Sequence, residues 1–180
     1  PYVIRLGKLT SNLRNYDGLA LNFKVYISAD VNAFAMADGT VRVHSALLDN
    51  MPDDQVLAVI CHEIGHVKLK HSYQQMKEAL LTNVAFDTVS SVGGTIGALS
   101  SSQLGTLAHT AVTAHFSQSD ELEADAYAVR VLQQLGQDPY AMKRSIETLQ
   151  AGSSTSGGFL STHPSNQKRI DNIQVAIQRL

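Results

Sequence analysis

The sequence predicts an α+β fold, with a small mixed sheet near the N-terminus and a mainly helical remainder. Hydrophobic and polar residues alternate between residues 22 and 44, which is typical of half-buried strands. Between residues 56 and 67, hydrophobic residues recur every three or four positions, which is typical of a helix. The length of 180 residues suits one domain that buries about 70% of the surface exposed by the unfolded chain. We therefore expect residues 1–180 to form a single domain.

The composition excludes several classes of protein. Hydrophobic residues make up 44% and charged residues 17%, and 14 basic against 16 acidic side chains leave a net charge of −2. These values argue against a disordered chain and against a nucleic-acid partner. Cys61 is the only cysteine, which excludes an intramolecular disulfide and a thiolate zinc ribbon, and we expect it to be a buried, unreactive thiol. Because the chain begins at Pro1 without a hydrophobic leader, we expect an upstream targeting segment to be missing from it.

The N-terminal elements follow from the two periodicities. Residues 4–13 carry one isoleucine and three leucines at roughly helical spacing and predict a short amphipathic helix. Residues 23–27 alternate in polarity and predict a first strand with Phe23, Val25 and Ile27 on its buried face. Two further strands, at residues 32–37 and 40–44, flank Asp38-Gly39, a dipeptide suited to the positive φ angles of a tight hairpin turn.

The helical part begins at residues 50–54. Pro52 is tolerated in a first helical turn, and two aspartates follow it at the positive end of the helix dipole. Hydrophobic residues then recur between residues 56 and 67, so this helix is predicted to pack one face on the core. Further helices are predicted at residues 120–135, from 139 to about 150, and at the C-terminus after a flexible loop at 152–158.

Residues 79–119 have an unusual composition, since Asp87 is their only charged residue and Gly, Ala, Ser and Thr are abundant. Polar residues and Gly93-Gly94 interrupt the segment too often for a transmembrane helix. We expect a pair of closely packed helices with small residues. The alternative is a mobile cover over a functional site, or a patch that contacts a membrane or a partner.

The motif His62-Glu63-Ile64-Gly65-His66 carries the functional prediction. Two histidines four residues apart on a helix lie about 40° apart around its axis, so both can bind one tetrahedral ion. Glu63 lies beside the first histidine, where it can take a proton from water at the ion. With 7 histidines in the chain, an accidental match is expected in fewer than about 1% of such sequences. The alternative is a pair of surface histidines on a helix.

A catalytic zinc site needs a third protein ligand and an open fourth position. His71 is an unfavourable candidate, because on a continuous helix it lies about 140° around the axis from His66. Glu121 and Asp125 share one face of the next predicted helix. Glu121 is therefore the predicted third ligand, and Asp125 is predicted to accept the outer N–H of a bound imidazole. The alternative is that both acids lie on a solvated helix face.

The motif H-E-I-G-H, followed 55 residues after its second histidine by E-x-E-A-D, resembles a known family of zinc metallopeptidases. This zincin-like family includes the heat-shock protease HtpX and the CAAX prenyl endopeptidase. The likeness covers nearly the whole chain. Residues 24–37, 102–105 and 116–118 are most similar to bacterial envelope lipoproteins of the LoiP type. The resemblance implies one zinc ion per chain, held by His62, His66 and Glu121, with Glu63 as the general base.

The resemblance also implies roles for residues outside these motifs. His163 corresponds to a histidine that stabilises the tetrahedral oxyanion, and Asp125 and Arg169 to residues that support the ligands from behind. Asn32, Ala33, Phe34 and Ala35 correspond to an edge strand to which an extended substrate adds by backbone hydrogen bonds. The residues alone leave an alternative for each of these roles. His163-Pro164 could equally form the first turn of a helix, and Arg169 could lie on a solvated helix face. Residues 32–35 could equally be an ordinary hairpin strand.

We therefore expect a zinc-dependent endopeptidase that acts on unfolded or extended polypeptides. The resemblance implies a location in the bacterial cell envelope, with membrane anchoring through an upstream segment. One alternative is a latent protease whose cleft is blocked by part of residues 79–119. Another is a chaperone-like module that binds polypeptides without cutting them, although a purely structural metal site has no need of Glu63. The sequence makes no prediction of the oligomeric state.

Overall fold

The computed structural model describes residues 1–90, 109, 113, 115–152 and 158–180, and it has the predicted α+β fold. The strands are β1 (Asn22–Tyr26), β2 (Ala33–Ala35) and β3 (Thr40–His44), and the helices are α1 (Tyr2–Leu9), α2 (Ser45–Asn50), α3 (Asp53–Lys68), α4 (His71–Ser90), α5 (Gln118–Gln134), α6 (Tyr140–Gly152), α7 (Phe159–Thr162) and α8 (Gln167–Gln178). Within these ranges, no helix has the length and hydropathy needed to cross a bilayer. Most of segment 79–119, predicted as small-residue helices or a cover, lies outside the described residues.

The three strands form one mixed sheet in the order β1, β3, β2. Strand β3 runs parallel to β1 and antiparallel to β2, so the predicted hairpin is confirmed. Of the dipeptide Asp38-Gly39, only the glycine has a positive φ, of +84°. A Cβ at position 39 would also overlap the carbonyl oxygen of Ala20. Gly39 is therefore required by the turn and by a close backbone contact.

Two hydrophobic residues that were predicted to face the core are exposed. Ile4 is 67% exposed and Ile27 is 76% exposed. Ile27 lies beyond the end of β1 at Tyr26, so the alternation of the strand no longer determines the direction of its side chain. Helix α1 has only eight residues, and the one that it buries is Leu6.

Helix α3 lies at the centre of the fold. All residues from 56 to 66 are buried, because α3 contacts β2 and β3 as well as α5 and α6. The prediction of a single buried face was therefore wrong. The predicted helix start is confirmed, with Pro52 at the N-cap and two aspartates in the first turn. Cys61 is buried and unpaired, and burial raises the pKa of its thiol.

Gly65 allows α3 and α5 to approach each other closely. A Cβ at position 65 would lie 3.1 Å from the Cα of Ala124 and 3.3 Å from the ring of Tyr127. These distances are shorter than ordinary van der Waals contacts. The approach places the first turns of α5, which include Glu121, against the part of α3 that carries the two motif histidines.

Replacing Gly65 by valine is expected to lower the free energy of unfolding by about 1–3 kcal/mol, because the branched side chain forces α5 away from α3. Gly7→Val is the matched control, since Gly7 is exposed on α1 and an added Cβ there meets nothing within 4 Å. Urea unfolding of the metal-free protein measures both changes. Equal losses in the two variants would show that β-branching in a helix, and not the contact between helices, limits position 65.

Candidate metal centre

Four buried side chains converge beside the C-terminal half of α3. His62 and His66, one turn apart, point their Nε2 atoms at each other at 3.0 Å. The carboxylate oxygens of Glu121, on α5, lie 3.6 Å from Nε2 of His62 and 3.2 Å from Nε2 of His66. His163, which follows α7, places Nδ1 at 2.9 Å from Glu121 and at 3.4 Å from Nε2 of His62. One donor atom from each of the four lies within 4.8 Å of all the others.

The separations fit a tetrahedral metal ion. Zinc–nitrogen and zinc–oxygen bonds of about 2.0–2.1 Å place the ligand atoms of a tetrahedral site about 3.3 Å apart. Nε2 of His62 and Nε2 of His66 are 3.0 Å apart. Oε1 of Glu121 lies 3.2 Å from Nε2 of His66, and its Oε2 lies 3.6 Å from Nε2 of His62. Two imidazoles and one carboxylate are also a donor set of catalytic zinc sites that keep a fourth position open. The residues present therefore fit a divalent ion.

Burial and neighbouring charges set the protonation of these groups. Burial by itself raises the pKa of Glu121, but His163 and His62 outweigh it and hold that pKa below its ordinary value. Burial lowers the pKa of His66 well below the usual range of histidine. Burial by itself lowers the pKa of His62, but Glu121 and Asp125 outweigh it and raise that pKa. An ionised carboxylate and a neutral imidazole are the forms that bind a cation, so the shifts favour binding at Glu121 and His66 and oppose it at His62.

Asp125 and Arg169 lie behind the proposed ligands. Asp125, one turn after Glu121, has a carboxylate oxygen 2.8 Å from Nδ1 of His62. The guanidinium of Arg169, on α8, donates hydrogen bonds to both oxygens of Asp125 at 2.7 and 2.8 Å. Its Nη1 lies 2.6 Å from Glu121. Arg169 is fully buried, so it does not lie on the solvated helix face that the sequence alone also allowed.

Glu63 lies on the side of the cluster that faces β2. Its carboxylate is 3.4 Å from Nε2 of His163, and it accepts a hydrogen bond from the backbone of Ala35. Oε1 of Glu63, the oxygen that lies 3.4 Å from Nε2 of His163, is buried, and no donor in the described part of the chain meets it with hydrogen-bond geometry. Burial raises the pKa of this carboxyl group, against the opposing effect of His163 and His62. A buried acceptor without a partner fits a group that bonds to water or substrate.

Residues 32–35 follow the edge of the sheet next to α3. In the hairpin register, Phe34 is hydrogen-bonded to β3, so the N–H groups of Ala33 and Ala35 point towards the open edge. The N–H of Ala33 already bonds to the Asn32 side chain at 2.8 Å, and that of Ala35 bonds to Glu63. An added strand would therefore have to displace the Asn32 side chain from Ala33 and Glu63 from Ala35.

Three residues that contact the cluster were not among the predicted site residues. The ring of Phe116 stacks on His66 with 3.7 Å between ring centroids, and the ring of Phe159 stacks on His163 at 4.2 Å. His71 has its Nδ1 3.1 Å from Nδ1 of His66. No periodicity marks the two phenylalanines, because Phe159 is the first residue of a short helix and Phe116 lies just before one. On one continuous helix His71 would face away from His66, but α3 ends at Lys68 and a second helix, α4, begins at His71.

The sequence is similar to those of known metalloproteases. Residues 11–177 match the profile of peptidase family M48. The chain is 42% identical over 175 residues to Metalloprotease LoiP of Escherichia coli (strain K12), and the match covers 96% of this chain and 69% of that protein. It is 39% identical over 176 residues to Metalloprotease YcaL of the same strain, with the same coverage of 96% and 69%. It is 33% identical over 182 residues to the Beta-barrel assembly-enhancing protease of that strain, and this match covers 94% of this chain and 37% of that protein.

Proposed function

The chain belongs to peptidase family M48 and is a metalloendopeptidase, and we propose that its ion is zinc, held by His62, His66 and Glu121. The convergence of these three donors from two helices, beside the carboxylate of Glu63, carries the proposal. When bound, the ion supplies Lewis-acid chemistry, which acidifies water and polarises a carbonyl group. The buried Oε1 of Glu63 is an acceptor that a purely structural metal site would not require.

Glu63 is the general base in this proposal. Its carboxylate accepts a proton from the attacking water and returns that proton to the amine nitrogen of the leaving group. Burial raises the pKa of Glu63, which makes the carboxylate a better proton acceptor. His163, with Nε2 3.4 Å from Glu63, donates a hydrogen bond to the carbonyl oxygen of the substrate as negative charge develops there.

The substrates in this proposal are unfolded or extended polypeptides that add to the open edge of β2. The carbonyl groups of Ala33 and Ala35 face this edge at the spacing of a strand, and their N–H groups become available when the Asn32 side chain and Glu63 release them. The likeness to a protease named for β-barrel assembly, together with the sequence resemblance to the LoiP type, supports a location in the bacterial cell envelope. Membrane attachment through a segment upstream of Pro1 belongs to the same proposal.

Metal analysis and a cleavage assay on one preparation test the proposal. The purified protein is expected to hold about one zinc ion per chain and to cleave an unfolded, quenched-fluorescent protein. A chelator should abolish cleavage, and added zinc should restore it. Binding of the unfolded protein without chelator-sensitive cleavage would instead support the chaperone-like module. Failure to bind zinc after reconstitution would contradict the proposed site.

A latent peptidase is a second candidate, and the position of His163 favours it. Its Nδ1 lies among the donor atoms of the three proposed ligands, so it can occupy the fourth position that a water needs. His163→Ala distinguishes the two proposed roles of His163, which are stabilisation of the oxyanion and occupation of the fourth ligand position. A loss of about 10²-fold or more in kcat, which we expect, supports stabilisation of the oxyanion. A rise in kcat would support latency, and peptide hydrolysis at several substrate concentrations measures the change.

A further inference from the structure

We propose that His71 is a positioning residue for His66, an inference that rests on the proposed metal site and extends it. Nδ1 of His71 lies 3.1 Å from Nδ1 of His66. The other ring nitrogen of His66, Nε2, faces His62 at 3.0 Å and Glu121 at 3.2 Å. His66 therefore has an inner side that meets the other proposed ligands and an outer side that meets His71.

Metal binding through Nε2 determines the direction of the hydrogen bond between His66 and His71. A neutral imidazole that binds a cation through Nε2 carries its proton on Nδ1. In His66 that proton points at His71, whose Nδ1 must then be the acceptor. The opposite direction would place a proton on Nε2 of His66, where it would exclude a cation.

Two carboxylates favour the acceptor form of His71. Its Nε2 lies 3.6 Å from an oxygen of Asp120 and 3.6 Å from an oxygen of Glu123. Ionised carboxylates attract a proton on Nε2, which leaves Nδ1 of His71 free to accept. Asp120 is itself held in place, because its other oxygen accepts the N–H of Ser117 at 3.1 Å in the capping box that begins α5.

A break between helices α3 and α4 brings His71 next to His66. Helix α3 ends at Lys68, and Lys70 has a φ of +65°, which is uncommon for a residue other than glycine. Helix α4 then begins at His71, which is only 5% exposed. The contacts of His71 connect His66 on α3 to the first turn of α5, the turn that also carries Glu121. They therefore couple the positions of two proposed ligands.

Two substitutions at position 71 distinguish the effect of the hydrogen-bond acceptor on zinc binding from the effect of the ring shape. His71→Phe keeps a ring and removes the acceptor, whereas His71→Asn removes the ring and keeps an amide oxygen close to the position of Nδ1. We expect His71→Phe to weaken zinc binding by about 10–100-fold in competition with a fluorescent chelator. His71→Asn should bind zinc close to the wild-type affinity. Equal affinity of the wild type and His71→Phe would overturn this inference, while a wild type that binds no zinc would overturn the proposed site itself.

A matched control and a measurement on the wild type complete the test. His44→Phe removes another buried histidine, whose ring contacts Tyr26 and Phe34 and whose Nδ1 lies 3.1 Å from the Asp30 carbonyl. It should leave zinc affinity unchanged. If His71→Phe fails to fold, long-range ¹H–¹⁵N NMR of the zinc-loaded wild type decides. We expect His71 to be protonated on Nε2 alone, and a proton on its Nδ1 would overturn the inference.

Discussion

Replacing Glu63 by glutamine is expected to lower kcat by about 10²–10⁴-fold while the protein keeps its metal. The amide has nearly the same shape as the carboxylate but cannot take a proton from water. The donor atoms of His62, His66 and Glu121 are unchanged by this substitution. Hydrolysis of a quenched-fluorescent protein measures kcat, and elemental analysis of the same sample measures zinc.

Glu147→Gln is the control for that substitution. Glu147 lies on α6, half exposed, with Lys143 at 3.8 Å as its ion-pair partner. It should leave both activity and zinc content at the wild-type level. A Glu63→Gln protein with at least a tenth of the wild-type kcat would exclude Glu63 as the base. Loss of zinc from that protein would indicate instead that Glu63 helps to hold the ion.

Replacing Glu121 by alanine is expected to remove stoichiometric zinc and, with it, peptidase activity. The substitution deletes one of three proposed donors, and it also removes the carboxylate that lies 2.6 Å from Nη1 of Arg169. Arg169 keeps its two hydrogen bonds to Asp125, so the loss of stability should be smaller than the about 3–5 kcal/mol of a buried charge left without any partner. Equilibrium dialysis against zinc measures the affinity, and circular dichroism during heating measures the stability.

Glu121→Gln separates the loss of the ligand from the loss of stability. The amide keeps an oxygen and most of the shape of the carboxylate, so the fold should be retained while zinc binding remains weak. Wild-type zinc content in both Glu121 variants would contradict the assignment of the third ligand. In that event His163, the remaining donor in the cluster, would be the candidate to complete the site.

The buried ion pair between Asp125 and Arg169 explains how the cluster tolerates several acidic groups. Burial by itself lowers the pKa of Arg169, but Asp125 and Glu121 outweigh it and raise that pKa above its ordinary value, so the side chain remains charged. Its guanidinium contacts both carboxylates and also donates to the carbonyl oxygen of His163 at 3.2 Å. The Arg169 side chain thus contacts Glu121, which is the proposed third ligand, Asp125, which is the partner of His62, and the backbone of His163.

Several features of the fold and of the site could be predicted because they depend on short stretches of chain. The hairpin at Gly39 and the start of α3 at Pro52 follow from local backbone preferences. The pairing of His62 with His66 follows from the pitch of a helix. The prediction for Ile27 was wrong because it also relied on a local pattern: alternation along a strand does not indicate where the strand ends.

By itself, the sequence determined which residue types are available and which neighbours along a helix share a face: His62 with His66, and Glu121 with Asp125. Only the tertiary structure decided that α3 and α5 meet at Gly65, that Arg169 is buried between two carboxylates, and that His71 lies next to His66. Contacts within a helix depend on its constant rise and rotation per residue. Contacts between distant segments depend on how whole elements pack and where the chain breaks from one helix into the next, and no local pattern records either.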